Sequence, residues 1–114
     1  MEYQTTLRMK GPPTSKAEML KAFRWLMRPA RAGKGFVDCR LYLDADDADA
    51  ICYEERWQTR EDLEAQICSD RYTRLLTLME SASERPSLEF IRISETRGLE
   101  YVESLRAAHG VNTP

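Results

Sequence analysis

Three side chains able to do chemistry recur at every second position near the middle of the chain: Tyr53, Glu55 and Trp57, in the stretch YEERWQTREDLEAQICSDRY. Extended backbone sends alternate side chains to one face, so a phenol, a carboxylate and an indole can converge on one place. A carboxylate there would serve as a general base if its pKa were raised. The plainer role for Glu55 is a cross-strand charge partner, for example of Arg40, on a partly exposed strand. Trp57 is either the aromatic wall of a pocket or a core anchor. The helical stretch that follows carries Leu63 and Ile67 inward, with Gln66 at the edge of that stripe. Glutamine donates and accepts hydrogen bonds but takes no proton near pH 7. Tyr72, and Phe23 from an earlier apolar stripe, complete the candidate lining of a partly apolar cavity between sheet and helices.

The elements that must position these groups are legible in the periodicity. Residues 2–10 alternate, with Tyr3, Thr5, Leu7 and Met9 on one side, as in a half-buried strand. Gly11-Pro12-Pro13 ends it. Ser15 and Glu18 have capping-box spacing, and Met19, Phe23, Leu26, Met27 and Ala30 then follow helical spacing. Pro29 and Gly33 predict a kink or stop. Residues 35–44 alternate again, with Val37, Cys39, Leu41 and Leu43 opposed to Phe36, Asp38, Arg40 and Tyr42. The acidic DADDADA segment leads into a third strand over 50–57, an antiparallel hairpin. Thr59 starts a helix, Ser69 caps its continuation through Tyr72, Leu75, Leu76 and Met79, and residues 86–94 make a fourth strand. A last helix over 97–108 carries an apolar stripe of Leu99, Val102 and Leu105.

The order β-α-β-β-α-β predicts an α+β, ferredoxin-like domain over residues 1–96: an antiparallel sheet with helices on one face. Residues 97–114 add a C-terminal helix and tail. Apolar and aromatic residues on both faces of strands two and four call for a second cover, which another copy of the sheet would supply. A homodimer is therefore expected, and the terminal helix should dock through its stripe, in cis or on the partner subunit.

With these elements in place, the runs GFVDCRLYLD, YEERW, TREDLEAQ and SDRY together resemble the antibiotic biosynthesis monooxygenase domain family, of the dimeric α/β-barrel superfamily. The resemblance spans nearly all of residues 1–94. It implies that the sheets pair into a dimeric barrel and that a quinol or hydroxylated aromatic is oxygenated with no metal, flavin or other cofactor. It also implies that Trp57 is the aromatic wall, with Tyr53 and Glu55 facing the same cavity. The sequence departs from the family where chemistry would matter. Gln66 stands where a histidine is usual, Arg71-Tyr72 replaces a histidine-aromatic pair, and Tyr53 stands where some members carry asparagine. A base would have to be Glu55, Tyr53 or the substrate's own acidity. Haem-degrading relatives use a first-strand asparagine and an axial histidine, and neither is present. The alternative implied function is a non-catalytic, small-ligand-binding or stress-related barrel.

Other chemistries find little support. The 114 residues carry 17 basic and 19 acidic side chains, a net charge of −2, without the clustered basic surplus of a nucleic-acid binder. Arg24, Arg28, Arg31 and Lys34 read as cations near a helix C-terminus. No apolar run reaches the roughly 20 residues of a membrane span, and MEYQTTLRMK lacks a secretory apolar core, so a cytoplasmic location is expected. Cys39, Cys52 and Cys68 have no metal or disulfide spacing, and Cys39 reads as a small buried hydrophobe. His109, the one histidine, lies in the tail. Asp44, Asp46 and Glu55 match calcium-loop positions, but Asp49 stands where that loop needs glycine, so the segment reads as a solvated turn.

Overall fold

The computed structural model describes residues 1–112; the end of the 97–114 tail lies outside them. Strand β1 (Glu2–Lys10) leads to a short 3-10 turn (Pro13–Ser15) and helix α1 (Lys16–Arg31). Strands β2 (Phe36–Leu43) and β3 (Ala50–Trp57), helices α2 (Arg60–Ile67) and α3 (Asp70–Glu80), strand β4 (Ser87–Ile93) and helix α4 (Leu99–Ala108) follow. The strands form one antiparallel sheet in the order β2-β3-β1-β4. This is the ferredoxin-like α+β arrangement, with the core between the sheet and α1 and α3.

Period-two burial in β1 and the helical stripe of α1 build that core. Leu7, Met9, Ile51 and Tyr53 from the sheet meet Met19, Phe23, Leu26 and Met27 from α1, with Tyr72 and Leu75 from α3. Phe23 and Tyr53 lie with ring centroids 5.2 Å apart. A second cluster joins Trp57, Ala30 and Leu63, with Tyr3, Phe36 and Ile67 against it.

Two expectations need correction and two are made more specific. Ser15 precedes α1 but forms no capping box: its hydroxyl donates to the Pro12 carbonyl at 2.9 Å, a bond set up by the 3-10 turn. Pro29 lies inside α1, which runs on to Arg31. So near the end the missing N–H affects only the last turn, and the stop comes where Gly33 N–H bonds the Ala30 carbonyl at 2.9 Å. In β2 a bulge shifts the register between Phe36 and Asp38. Phe36 pairs with Trp57 and Cys39 with Glu55, so Phe36 shares the helix-facing side with Cys39 and Leu41. For α4, expected to dock in cis or on a partner, none of its residues is buried within its own protomer, and Leu99 is 71% exposed.

The sheet's other face is open and carries a polar web. Gln4 donates to Glu54 at 3.0 Å and accepts from Arg56 at 3.0 Å. Tyr42, Ile91 and Ile93 interrupt it with apolar surface, Tyr42 and Ile91 well exposed. In the acidic hairpin, Asp44 and Asp47 accept backbone N–H bonds from Asp46 and Asp49 and face the cations Arg8 and Lys10. That turn is pinned to β1 rather than merely solvated.

Candidate active site

Strand alternation brings Tyr53, Glu55 and Trp57 to the helix-facing side of β3, where 0–2% of each is exposed. A carboxylate so buried must find donors. Glu55 accepts from the Tyr53 hydroxyl, from Trp57 Nε1 at 3.3 Å, and from Arg71 Nη1 and Nη2 at 2.5 and 2.9 Å. This corrects the reading of Glu55 as a surface partner of Arg40, which pairs instead with Asp38.

Arg71, which the sequence marked only as a departure from the family pattern, is the main donor to Glu55. It is only 8% exposed, and the break between α2 and α3 delivers it. Ser69 caps α3 by accepting from Tyr72 N–H and donates its own hydroxyl to the Gln66 carbonyl at 2.6 Å, so the first turn of α3 points Arg71 under the sheet. Gln66 then holds the guanidinium from the side, its Oε1 accepting from Arg71 Nε at 3.1 Å and Nη2 at 2.9 Å. One signal was available: a cation in the first turn of a helix opposes the macrodipole and calls for a compensating anion.

The backbone is fitted to this cluster. A Cβ at Gly33 would lie 2.7 Å from Gln66 Nε2 and 2.9 Å from the Trp57 ring, so only glycine lets α1 end against both. Phe36 packs edge-on to Trp57, 5.7 Å between centroids. Burial, then the charge of Glu55 and the hydrogen bond to it, pushes the Tyr53 phenol far above its ordinary pKa. Burial also raises the Tyr72 phenol, with Glu55 adding and Arg71 opposing. Burial works against the Arg71 charge, but the bond to Glu55 and its charge outweigh it and raise the pKa. The Tyr72 hydroxyl is buried without a hydrogen-bond partner among the described residues.

The candidate residues thus come together, but as a packed and mutually bonded cluster. Tyr53, Trp57, Gln66, Tyr72 and Phe23 line none of the four principal clefts among the described residues. Leu63 and Ile67 do face open space: a groove of about 300 Å³ between α2 and β4, whose walls include Tyr3 and Phe90 and whose rim carries Arg60 and Arg92. Leu63 belongs to the same buried cluster as Trp57, and Tyr3 and Ile67 pack against that cluster, so the groove and the Trp57 cluster share residues. Among the described residues, no group of three or more His, Cys, Asp or Glu side chains is placed to hold a metal ion. No helix of the described residues is long and apolar enough to cross a membrane.

Residues 5–75 match the sequence model of the antibiotic biosynthesis monooxygenase family. The chain belongs to this family. The match takes in Glu55, Trp57, Gln66 and Arg71 and stops short of β4 and α4. A search of curated proteins found no match. Solved structures similar to this monooxygenase-family chain include Rv0793 from Mycobacterium tuberculosis (TM-score 0.76, 17% identity, covering 86% of this chain and 100% of that one). Another is a variant of SnoaB, a cofactor-independent oxygenase from Streptomyces nogalater (TM-score 0.72, 14% identity, 83% and 95%). A third is a conserved protein from Methanosarcina mazei (TM-score 0.74, 16% identity, 81% and 92%). At these identities the likeness is one of fold.

Proposed function

We propose that the protein is a cofactor-independent monooxygenase that takes a quinol or hydroxylated aromatic in the groove between α2 and β4. The observation that carries this reading is that groove's position in a member of this family. Its apolar floor includes Leu63, which clusters with Trp57, and Ile67, which packs against that cluster, and it is lined by two guanidinium groups, Arg60 and Arg92, with one carboxylate, Glu64. A planar ring would lie between Phe90 and the α2 side chains. Arg60 and Arg92 would bind its deprotonated hydroxyl, lowering the hydroxyl's pKa so that the proton leaves to solvent.

The resulting electron-rich anion reduces dioxygen directly. One oxygen atom becomes a carbonyl on a ring carbon, and the other leaves as water, which takes the single hydrogen of that carbon and the equivalent of the proton released by the hydroxyl, so that the phenol and dioxygen give a quinone and water. The substrate supplies every electron, so no outside reductant is consumed. Neither Glu55 nor Tyr53 serves as the base in this scheme. Glu55 already accepts from four donor groups, and the Tyr53 phenol is held protonated by burial and by Glu55. Their role, with Arg71, Gln66 and Tyr72, is to hold Trp57 and the residues shared with the groove rigid.

The same saturation favours a second reading, a barrel that binds an aromatic and performs no chemistry. Oxygen-electrode measurements with a panel of quinols and polyhydroxylated aromatics separate the two. Saturable uptake is expected, with Arg60→Ala/Arg92→Ala raising KM roughly tenfold to hundredfold, as for loss of a charge-assisted hydrogen bond. Quenching of Trp57 emission in a Trp25→Phe background without uptake would establish the binding protein. Neither uptake nor quenching would overturn both.

A further inference from the structure

Two unpartnered surfaces of the protein have matching chemistry. The first is α4, which lies beyond the span matched by the family model and has none of its residues buried among the described residues. Leu99, Val102 and Leu105 form one stripe, with Tyr101 beside it, all 44–71% exposed. Glu103 flanks the stripe one turn after Leu99, Glu100 lies further round, and Arg106 stands on the stripe's own face one turn after Val102. A helix of this length is marginal in water unless its apolar face is covered.

The second is a groove of about 510 Å³ between α1 and β2, at the far edge of the sheet. Leu20, Met27, Leu41 and Leu43 give it an apolar floor, and Arg24, Arg28 and Arg31 line one side with no acidic residue among the lining. The cations of this apolar trough can meet Glu103 at the edge of the α4 stripe, while Arg106, on the same face, is turned back to donate to the Asn112 carbonyl at 2.8 Å. The groove suits a helix laid lengthwise, the mode in which an amphipathic helix places its apolar face in a hydrophobic channel.

We propose that α4 of one copy docks in the α1–β2 groove of a second copy, so that two chains exchange arms. Trans docking follows from the strand order. Helix α4 leaves from β4, at one edge of the sheet, and the groove lies at β2, at the opposite edge, with the helix layer between them. If two sheets pack face to face about a two-fold axis parallel to their strands, each β4 lies over the partner's β2. The five residues between β4 and α4 then bridge about 17 Å at full extension, enough to cross one interface of sheet thickness. Tyr42 belongs to both surfaces: it stands on the open sheet face and at the mouth of the groove, which makes the two contacts continuous. The proposal is independent of the substrate reading.

Hydrogen exchange of the full chain tests it. In the wild type the α4 amides are expected to exchange about tenfold or more slowly than in the arm variant Val102→Glu/Leu105→Glu or the groove variant Arg24→Glu/Arg28→Glu. All four substituted positions are exposed, so both variants should fold. Mixing isotopically labelled groove variant, whose arm is intact, with unlabelled arm variant, whose groove is intact, should restore protection to the labelled α4. Absence of protection in the wild type would overturn the proposal. So would protection that survives in the groove variant, which means docking elsewhere, or loss that mixing does not repair, which means docking in cis.

Discussion

Glu55 and Arg71 form the most heavily loaded pair in the protein, two opposite charges taken out of water and bonded through two oxygens and two nitrogens. Such a pair adds little net stability compared with apolar residues of the same volume, but removing one partner strands the other. Arg71→Met should therefore cost about 3–5 kcal/mol and Glu55→Gln somewhat less, since glutamine still accepts from Tyr53 and Trp57. The double variant should recover part of that loss, which urea unfolding of the three proteins would reveal as a coupling energy. A double variant whose loss equals the sum of the singles would mean the side chains act independently. The raised phenols of Tyr53 and Tyr72 give a pH signature. Above the unfolded phenol's pKa of about 10, the unfolded chain loses a proton that folded Tyr53 keeps, so stability falls as pH rises, by roughly 1.4 kcal/mol per unit for Tyr53, with Tyr72 acting in the same direction. Below that pH the contribution is fully present. Stability measured from pH 9 to 11 should decline less steeply in Tyr53→Phe, and phenolate absorbance from Tyr53 should appear only as the protein unfolds.

The cluster depends on how the elements end. Gly35, at φ 77°, turns the chain from α1 into β2, and its carbonyl accepts from Gln58 N–H at 2.8 Å. A Cβ there would be strained by that φ and would also run into the Asp62 carboxylate of α2. Gly35→Ala should cost about 1–3 kcal/mol. It should also loosen α2 against β3, so near-ultraviolet dichroism of Trp57 should weaken before the far-ultraviolet signal does. Helix α2 has eight residues and one side-chain cap, Thr59, whose hydroxyl accepts from Asp62 N–H at 3.1 Å. Thr59→Ala should cost about 1 kcal/mol, read from the urea midpoint. If α2 also forms the substrate groove, the same change should raise KM while leaving kcat nearly constant, because a frayed wall weakens binding in ground and transition states alike.

For the whole molecule, the open sheet face is the decisive surface. Its polar web around Gln4 is self-satisfied, while Tyr42, Ile91 and Ile93 remain as apolar islands. A second copy packed there would cover them and close the two sheets into a barrel, burying about 1,200–2,000 Å² if it is a specific dimer of standard size. Sedimentation equilibrium at micromolar concentration should give twice the chain mass, and Ile91→Glu/Ile93→Glu should shift it toward the monomer. A monomeric wild type would rule out this assembly. Mass thus reports the sheet contact, whereas amide exchange in α4 reports the arm contact, and either can fail alone.

Period-two alternation in β1 and β3, the apolar stripe of α1 and the caps at Thr59 and Ser69 are local properties of the chain, so the sequence alone determined the element order and which residues face the core. For the same reason it placed Tyr53, Glu55 and Trp57 on one side. It could not show that Phe36 joins them, because a bulge reverses parity through one unpaired residue and leaves no mark in the alternation. Nor could it pair Glu55 with Arg71, sixteen positions apart. That contact exists only because the α2–α3 break and the β3 register bring the two under the same sheet. Local pattern fixes which way a side chain points along its own element. What it meets there depends on how the elements pack, and packing is where a presumed base became one half of a buried ion pair.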